Sequence, residues 1–341
     1  MDDAASSPLA DQALPWQKAA LHALRVRRTR WPHAVLLHGP EGVGKRILAH
    51  TLARALLCEA RGPSGEACGE CPSCRYVAAG QHPDLRIVEP IEVDDDEVKR
   101  VEWIVVDRIR DVNAWAAITS HRGRAKVALF VPAERMNAAA ANALLKTLEE
   151  PPPDTHFLLV SHQPGRLPAT IASRCQRIAA PRPTVEEGSA WLRAHGVRDA
   201  EELLAQACFA PLRALALADA GYQAERRVWL DALAAPHALS PAMLGARIES
   251  VPRDSRRDRL AAAIDWLGDW CADLGRVHAG ASPLWHPARG DALRSLAASV
   301  APPALFRYHR RLLRERTLLS HPLSPRLVAE ALLIDYRGLF T

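Results

Sequence analysis

The run Gly39-Pro40-Glu41-Gly42-Val43-Gly44-Lys45-Arg46 has the spacing of a phosphate-binding loop. Gly39, Gly42 and Gly44 let backbone N–H groups approach phosphate oxygens, and a helix opening behind them adds positive potential. Lys45 is placed to reach the β- and γ-phosphates. The next position should carry a hydroxyl that holds Mg²⁺, and here it is Arg46, a donor that cannot ligate a cation. The other half of such a site is an apolar strand ending in carboxylates. Here Val127 to Val131 runs into Pro132 and Ala133, and the nearest carboxylate, Glu134, lies past the strand end. With both metal contacts missing, ATP and Mg²⁺ are expected to be absent from this site or weakly bound. The alternative, Glu134 swinging in to compensate, is opposed by Pro132, which fixes the turn.

Of seven cysteines, four are bunched: Cys58, Cys68, Cys71 and Cys74. A cysteine at a helix end, a Gly-rich loop and two overlapping C-x-x-C pairs match a closed tetrahedral site, with structural zinc as the expected occupant. An iron–sulfur cluster is the chemical runner-up, and nothing else in the chain suggests electron transfer. Cys175, Cys208 and Cys271 lie far apart in sequence and read as small core residues.

These groups need elements to hold them. In the first half, apolar runs at Ala34 to His38, Leu85 to Val88, Val127 to Val131 and His156 to Ser161 alternate with helical segments, the pattern of a buried parallel sheet covered by helices. Leu48, Leu52, Ala55 and Leu56 recur at helical spacing behind the phosphate loop, and Asn137 can cap a helix running to Glu150, where Pro151, Pro152 and Pro153 stop it. After Pro181 and Pro183, Ala, Leu and Arg dominate amphipathic segments, so the rest reads as all-helical. Leu305, Tyr308 and Leu312 share one face there, as do Leu327, Ala331 and Ile334. The expected division is 1–180 as an α/β phosphate-loop domain, 181–222 as a small helical unit and 223–341 as a helical bundle.

A length of 341 residues suits two or three domains, and 48% hydrophobic with 24% charged residues are globular values. No stretch has the apolar length of a membrane span, and Met1 to Leu14 lacks the basic start of a signal peptide. A cytoplasmic protein without membrane association is expected. A net charge of +5 is too modest to indicate nucleic-acid binding by itself. The arginine groups Arg25, Arg27, Arg28 and Arg30, and Arg307, Arg310, Arg311, Arg314 and Arg316, read as solvated faces, as does the acidic run Asp94, Asp95, Asp96 and Glu97.

Together these residues resemble the bacterial clamp-loader subunits of the AAA+ class. The resemblance rests on Trp16-Gln17 ahead of His33-Ala34-Val35-Leu36-Leu37-His38-Gly39-Pro40, on the cysteines inserted after the phosphate-loop helix, and on Asn142 to Pro151. Ser173-Arg174-Cys175 carries it further. It implies a RecA-like AAA+ parallel-sheet domain, a small helical lid domain and a C-terminal helical collar, and so extends over essentially the whole chain. Arg174 would be an arginine finger acting in trans, Ser161-His162-Gln163-Pro164 the first sensor segment, and Arg213 the second sensor. The family's motor subunits keep an intact phosphate loop and an Asp-Glu strand end, whereas a non-motor type often loses both and retains zinc and the Ser-Arg-Cys triplet. This sequence has the second pattern. The implied partners are motor (gamma/tau) and delta subunits in a heteropentamer, with the sliding clamp and primed DNA met through the assembled complex, as part of a DNA polymerase holoenzyme. Two other readings compete: an ATP-hydrolysing motor, opposed by the missing hydroxyl and acids, and a stand-alone zinc-containing nucleic-acid binder, opposed by the low charge and the absence of aromatic stacking runs.

Overall fold

Strands that are apolar on both faces leave their backbone groups no water to bond, so they must satisfy one another inside a sheet. The computed structural model describes residues 13–26, 31–94, 97–319 and 323–340, in two units that divide between Glu187 and Gly188. In the first unit the strands are β1 (Ala34–His38), β2 (Leu85–Val88), β3 (Ile91–Asp94), β4 (Glu97–Arg100), β5 (Lys126–Phe130), β6 (Thr155–Ser161) and β7 (Gln176–Ala179). Five form one sheet in the order β2-β5-β6-β1-β7, every neighbouring pair parallel. With helices on both faces, this is a RecA-like AAA+ sheet.

The helices of this unit are α1 (Lys18–Val26), α2 (Lys45–Leu57), α3 (Pro72–Ala78), α4 (Val106–Ala117), α5 (Ala138–Glu149) and α6 (Ala169–Ala172). Period-two alternation sends the strand side chains into two cores. Val35 and Leu37 of β1 join Leu48, Leu52 and Leu56 of α2 on one face. Ala34 and Leu36 join Ile109 and Val112 of α4 and Leu144 and Leu148 of α5 on the other. Asn137 caps α5 by accepting from the Ala140 N–H at 2.8 Å.

Sequence reading locates four of the five sheet strands, with starts shifted by one residue for β5 and β6. It misses β7, an edge strand whose Gln176 and Arg177 are exposed and whose pattern carries too little apolar signal. It also misses the antiparallel β3–β4 hairpin, within what reads as a solvated acidic run. Arg27, Arg28, Arg30, Asp95 and Asp96 lie outside the described residues, as do the side chains of Arg25, Asp94 and Glu97.

The second unit contains most of α7 (Val185–Ala194), followed by α8 (Ala200–Gln206), α9 (Pro211–Leu217), α10 (Ala220–Ala234), α11 (Pro241–Glu249), α12 (Arg256–His278), α13 (Gly290–Ser299), α14 (Pro302–Thr317) and α15 (Pro325–Arg337). Its main core runs from Trp229 to Phe340 and is built on Trp229, Trp266, Trp270 and Tyr336. Two of its buried aromatic side chains are linked: the Trp270 indole donates to the Tyr336 hydroxyl at 2.8 Å, which donates to the Leu233 carbonyl at 2.8 Å. Leu305, Tyr308 and Leu312 of α14 face this core. On α15 the buried residues are Ala329, Leu332, Leu333 and Tyr336, while Leu327 and Ile334 point outward and are exposed. Among the arginines of α14, Arg316 pairs with Asp265 at 2.8 Å and Arg311 pairs with Asp335.

Candidate functional site

The phosphate loop lies between β1 and α2, and its two basic side chains and several of its carbonyls are engaged within the chain. Lys45 is buried and turns back on the loop, its Nζ donating to the Gly39 carbonyl at 2.7 Å and to the Pro40 carbonyl. Burial pushes its pKa down to about 8, against the opposing pull of Glu134 and Glu41. Gly44 has a left-handed φ of 91°. A Cβ there would stand 2.3 Å from Leu14 Cδ1 and 2.7 Å from Gln17 Nε2, so backbone freedom and close approach both require glycine. The segment before α1 closes over this turn: Trp16 Nε1 donates to the Val43 carbonyl at 3.0 Å and Gln17 Nε2 to the Gly44 carbonyl at 2.7 Å.

Arg46 stands where a Mg²⁺-binding hydroxyl belongs, and it pairs with both carboxylate oxygens of Glu89, just past β2. Strand β5 leaves through a cis Val131–Pro132 bond. Glu134 Oε1 accepts from the His162 and Gln163 N–H groups at 2.8 and 3.0 Å. Through that oxygen the carboxylate holds the segment after β6, its Oε2 is buried without a hydrogen-bond partner among the described residues, and no hydroxyl replaces Arg46 at the metal position. The isolated chain should therefore show no Mg²⁺-dependent ATP hydrolysis, and Arg46→Ser alone should not create it, because the strand-end acid is still missing. A steady-state phosphate-release assay checks this; turnover abolished by Lys45→Ala would overturn it.

The four clustered cysteines converge. Their sulfur atoms all lie within 4.8 Å of one another, with Cys58–Cys68, Cys58–Cys71 and Cys68–Cys74 separations of 3.6, 3.9 and 4.0 Å. Four thiolates around a tetrahedral zinc ion, each about 2.3 Å from the metal, are roughly 3.8 Å apart. Backbone N–H groups of Cys68, Cys71 and Cys74 point at the sulfurs of Cys58, Cys68 and Cys71, at 3.3, 3.3 and 3.5 Å, an arrangement that favours the charged thiolate. Gly69, at a φ of 81°, makes the turn between two ligands. Burial raises the Cys58 and Cys74 thiols, whereas Cys71 titrates lower because N–H donors outweigh its partial burial. The cluster can hold a metal ion. Glu59, beside Cys58, braces it: Oε1 accepts from Ser73 Oγ at 2.7 Å and from Arg122 Nη2 at 2.6 Å.

Arg174 follows α6 and precedes the edge strand β7. Its guanidinium is partly exposed and folds onto its own chain: Nη1 donates to the Thr170 carbonyl at 2.8 Å and Nη2 pairs with Glu149, the last residue of α5. Its Nε is buried and without a partner among the described residues. Cys175 beside it is a core residue whose thiol burial raises to about 12. Arg213 is exposed on α9 in the second unit, where its charge opposes the upward shift, to about 7, that burial imposes on Asp269. Sequence reading did not single out Glu149, Glu89 or Glu59. Each is one carboxylate among many, and only the fold shows which cation it meets.

Residues 16–183 match the family model described as "DNA polymerase III, delta subunit". A Pseudomonas aeruginosa protein, DNA polymerase III subunit delta′, is 41% identical over 271 residues, 77% of this chain and 77% of that protein. An Escherichia coli K12 protein of the same description is 30% identical over 299 residues, 85% of this chain and 84% of that one. The DNA polymerase III subunit tau of Bacillus subtilis is 35% identical over 200 residues, 52% of this chain and 34% of tau.

Proposed function

Because this chain belongs to the DNA polymerase III delta-prime subunit family, we propose that it is a stator of the clamp loader, one that hydrolyses no ATP itself and supplies Arg174 to the ATP of a neighbouring motor subunit. The observation that carries this reading is the contrast between two sites in one domain. The chain's own phosphate loop is closed by Lys45, Arg46–Glu89 and the Trp16-Gln17 segment, while Arg174 sits partly exposed at the edge of the sheet within an intact Ser-Arg-Cys triplet. A fixed guanidinium offsets negative charge that develops during phosphoryl transfer, and it does so equally well from an adjacent subunit.

The same reading assigns zinc to Cys58, Cys68, Cys71 and Cys74, on the sulfur separations above. It takes 1–180 as the AAA+ domain, 181–222 as a helical lid bearing Arg213, and 223–341 as a collar. Outward apolar side chains on the last two helices, Phe306, Leu313, Leu327 and Ile334, suit contact with other subunits. Motor (gamma/tau) and delta subunits are the partners, and clamp and primed DNA are engaged by the assembled heteropentamer during replication. Among the described residues no helix is long and apolar enough to cross a membrane, which agrees with a cytoplasmic site of action.

Assembly tests this directly. Tagged chain should capture motor and delta subunits, and adding it to them should raise ATP turnover on clamp and primed DNA although it has none alone. Failure to assemble, or turnover by the isolated chain, refutes the stator reading.

A further inference from the structure

Arg174 is expected to act on a phosphate outside its own chain, yet in this structure it is held by a carboxylate inside it. We propose that Glu149 is a latch for Arg174, and that a terminal phosphate on the neighbouring subunit takes the guanidinium by displacing that carboxylate. The inference rests on the stator reading and adds to it a positioning residue and an exchange step. No covalent bond changes. A guanidinium exchanges one anionic acceptor for another.

Three observations support the latch. The pair joins the C-terminal residue of α5 to the segment between α6 and β7, so it spans two elements and fixes the direction of the arginine. Two carboxylates, Glu149 and Glu150, stand at the C-terminal end of α5, where the helix dipole disfavours negative charge; helix stability does not account for Glu149, and the cation opposite does. The resting guanidinium is incompletely satisfied, since Nη1 and Nη2 have partners while Nε has none among the described residues. An arginine bound this way is oriented but easily surrendered to an acceptor with more charge and more lone pairs.

The side chains of Arg174 and Glu149 are 32% and 48% exposed. An ion pair so open to solvent is weak and salt-sensitive, so the latch sets a threshold and does not lock the arginine away. Removing the Glu149 charge should raise kcat/KM for ATP by roughly two- to fivefold at the site facing this chain, the range such pairs span. The gain should shrink as salt rises.

The test uses the complete loader reconstituted with wild-type chain, Glu149→Gln, Arg174→Ala, or both, assayed for ATP turnover on clamp and primed DNA at low and high salt. The latch predicts a gain for Glu149→Gln alone that vanishes in the Arg174→Ala background. A purely structural role for Glu149 predicts unchanged or lower turnover, and that result, or an equal effect in both backgrounds, overturns the latch. Should Arg174→Ala itself leave turnover and loading untouched, the finger reading fails and the latch with it. Loss by Arg174→Ala with no change from Glu149→Gln removes the latch alone. Thermal unfolding and zinc content of each variant separate these outcomes from misfolding.

Discussion

Arg174→Ala should leave a chain that folds, keeps its metal and assembles, but that builds a clamp loader severely impaired in ATP-dependent loading. The side chain contributes one partly exposed ion pair and hydrogen bonds to the Thr170 carbonyl and Ser173 Oγ; pairs of that kind contribute about 0–1 kcal/mol to stability, so the fold survives. The effect on chemistry is of another order. An arginine supplied in trans accelerates phosphoryl transfer by roughly 10³–10⁵-fold at the site it serves. Bulk ATP turnover should fall less if, as the stator reading implies, the remaining motor sites take their arginines from motor subunits. Loading, which needs coordinated hydrolysis, should fall more. Arg174→Lys should not restore it, because a point charge lacks the planar, two-pronged donor geometry. Clamp transfer onto primed DNA, measured at saturating ATP, provides the check; normal loading with Arg174→Ala would falsify the assignment.

Loss of metal from the cysteine cluster is the second large expected effect. Four thiolates held about one ion make a site whose binding energy is also folding energy, about 10–16 kcal/mol for small zinc modules at neutral pH. The segment Cys58 to Cys74 has little else to order it. It contributes Cys58, Gly65, Ser73, Cys74 and nearby Val77 to the buried residues, and its ties include Glu59 to Ser73, Arg122 and Arg124 and Arg61 to the Leu56 carbonyl. Chelation or Cys68→Ser should therefore unfold residues 58–78 and free the loop bearing Arg122, while the sheet and the helical unit stay folded. Binding requires deprotonated thiols, and burial raises the Cys58 and Cys74 thiols in the metal-free chain, so affinity should fall as pH falls. Elemental analysis should find about one zinc per chain, and hydrogen exchange should show protection lost over the loop alone. Protein purified without chelator and free of metal would remove the zinc assignment.

The parallel sheet, the helical second half, the phosphate loop and the cysteine cluster were legible because each is written in local spacing. Runs such as Val35 to Leu37 and Val127 to Leu129 are apolar on both faces, which only a covered strand tolerates. The C-x-x-C pairs bring ligands together within one loop, whatever the rest of the chain does. Edge strand β7 was not legible, since Gln176 and Arg177 are exposed and carry no burial signal. Nor was the outward placing of Leu327 and Ile334 on α15, because periodicity groups residues on a face without saying which face meets the core.

By itself the sequence determined that two side chains of a Mg²⁺ site are replaced: Arg46 stands in place of a hydroxyl and Pro132 at a strand end, and neither side chain is a metal ligand. It also determined which groups the proposed roles would use, four closely spaced thiols and one arginine in a Ser-Arg-Cys triplet. The tertiary structure decided how the leftover charges are used. It set Arg46 against Glu89 across 43 residues of chain and Arg174 against Glu149 across 25, and it folded Lys45 back onto its own loop. The physical reason is that a motif depends on covalent spacing, which the chain carries everywhere, whereas an ion pair between distant residues depends on which surfaces the core brings together.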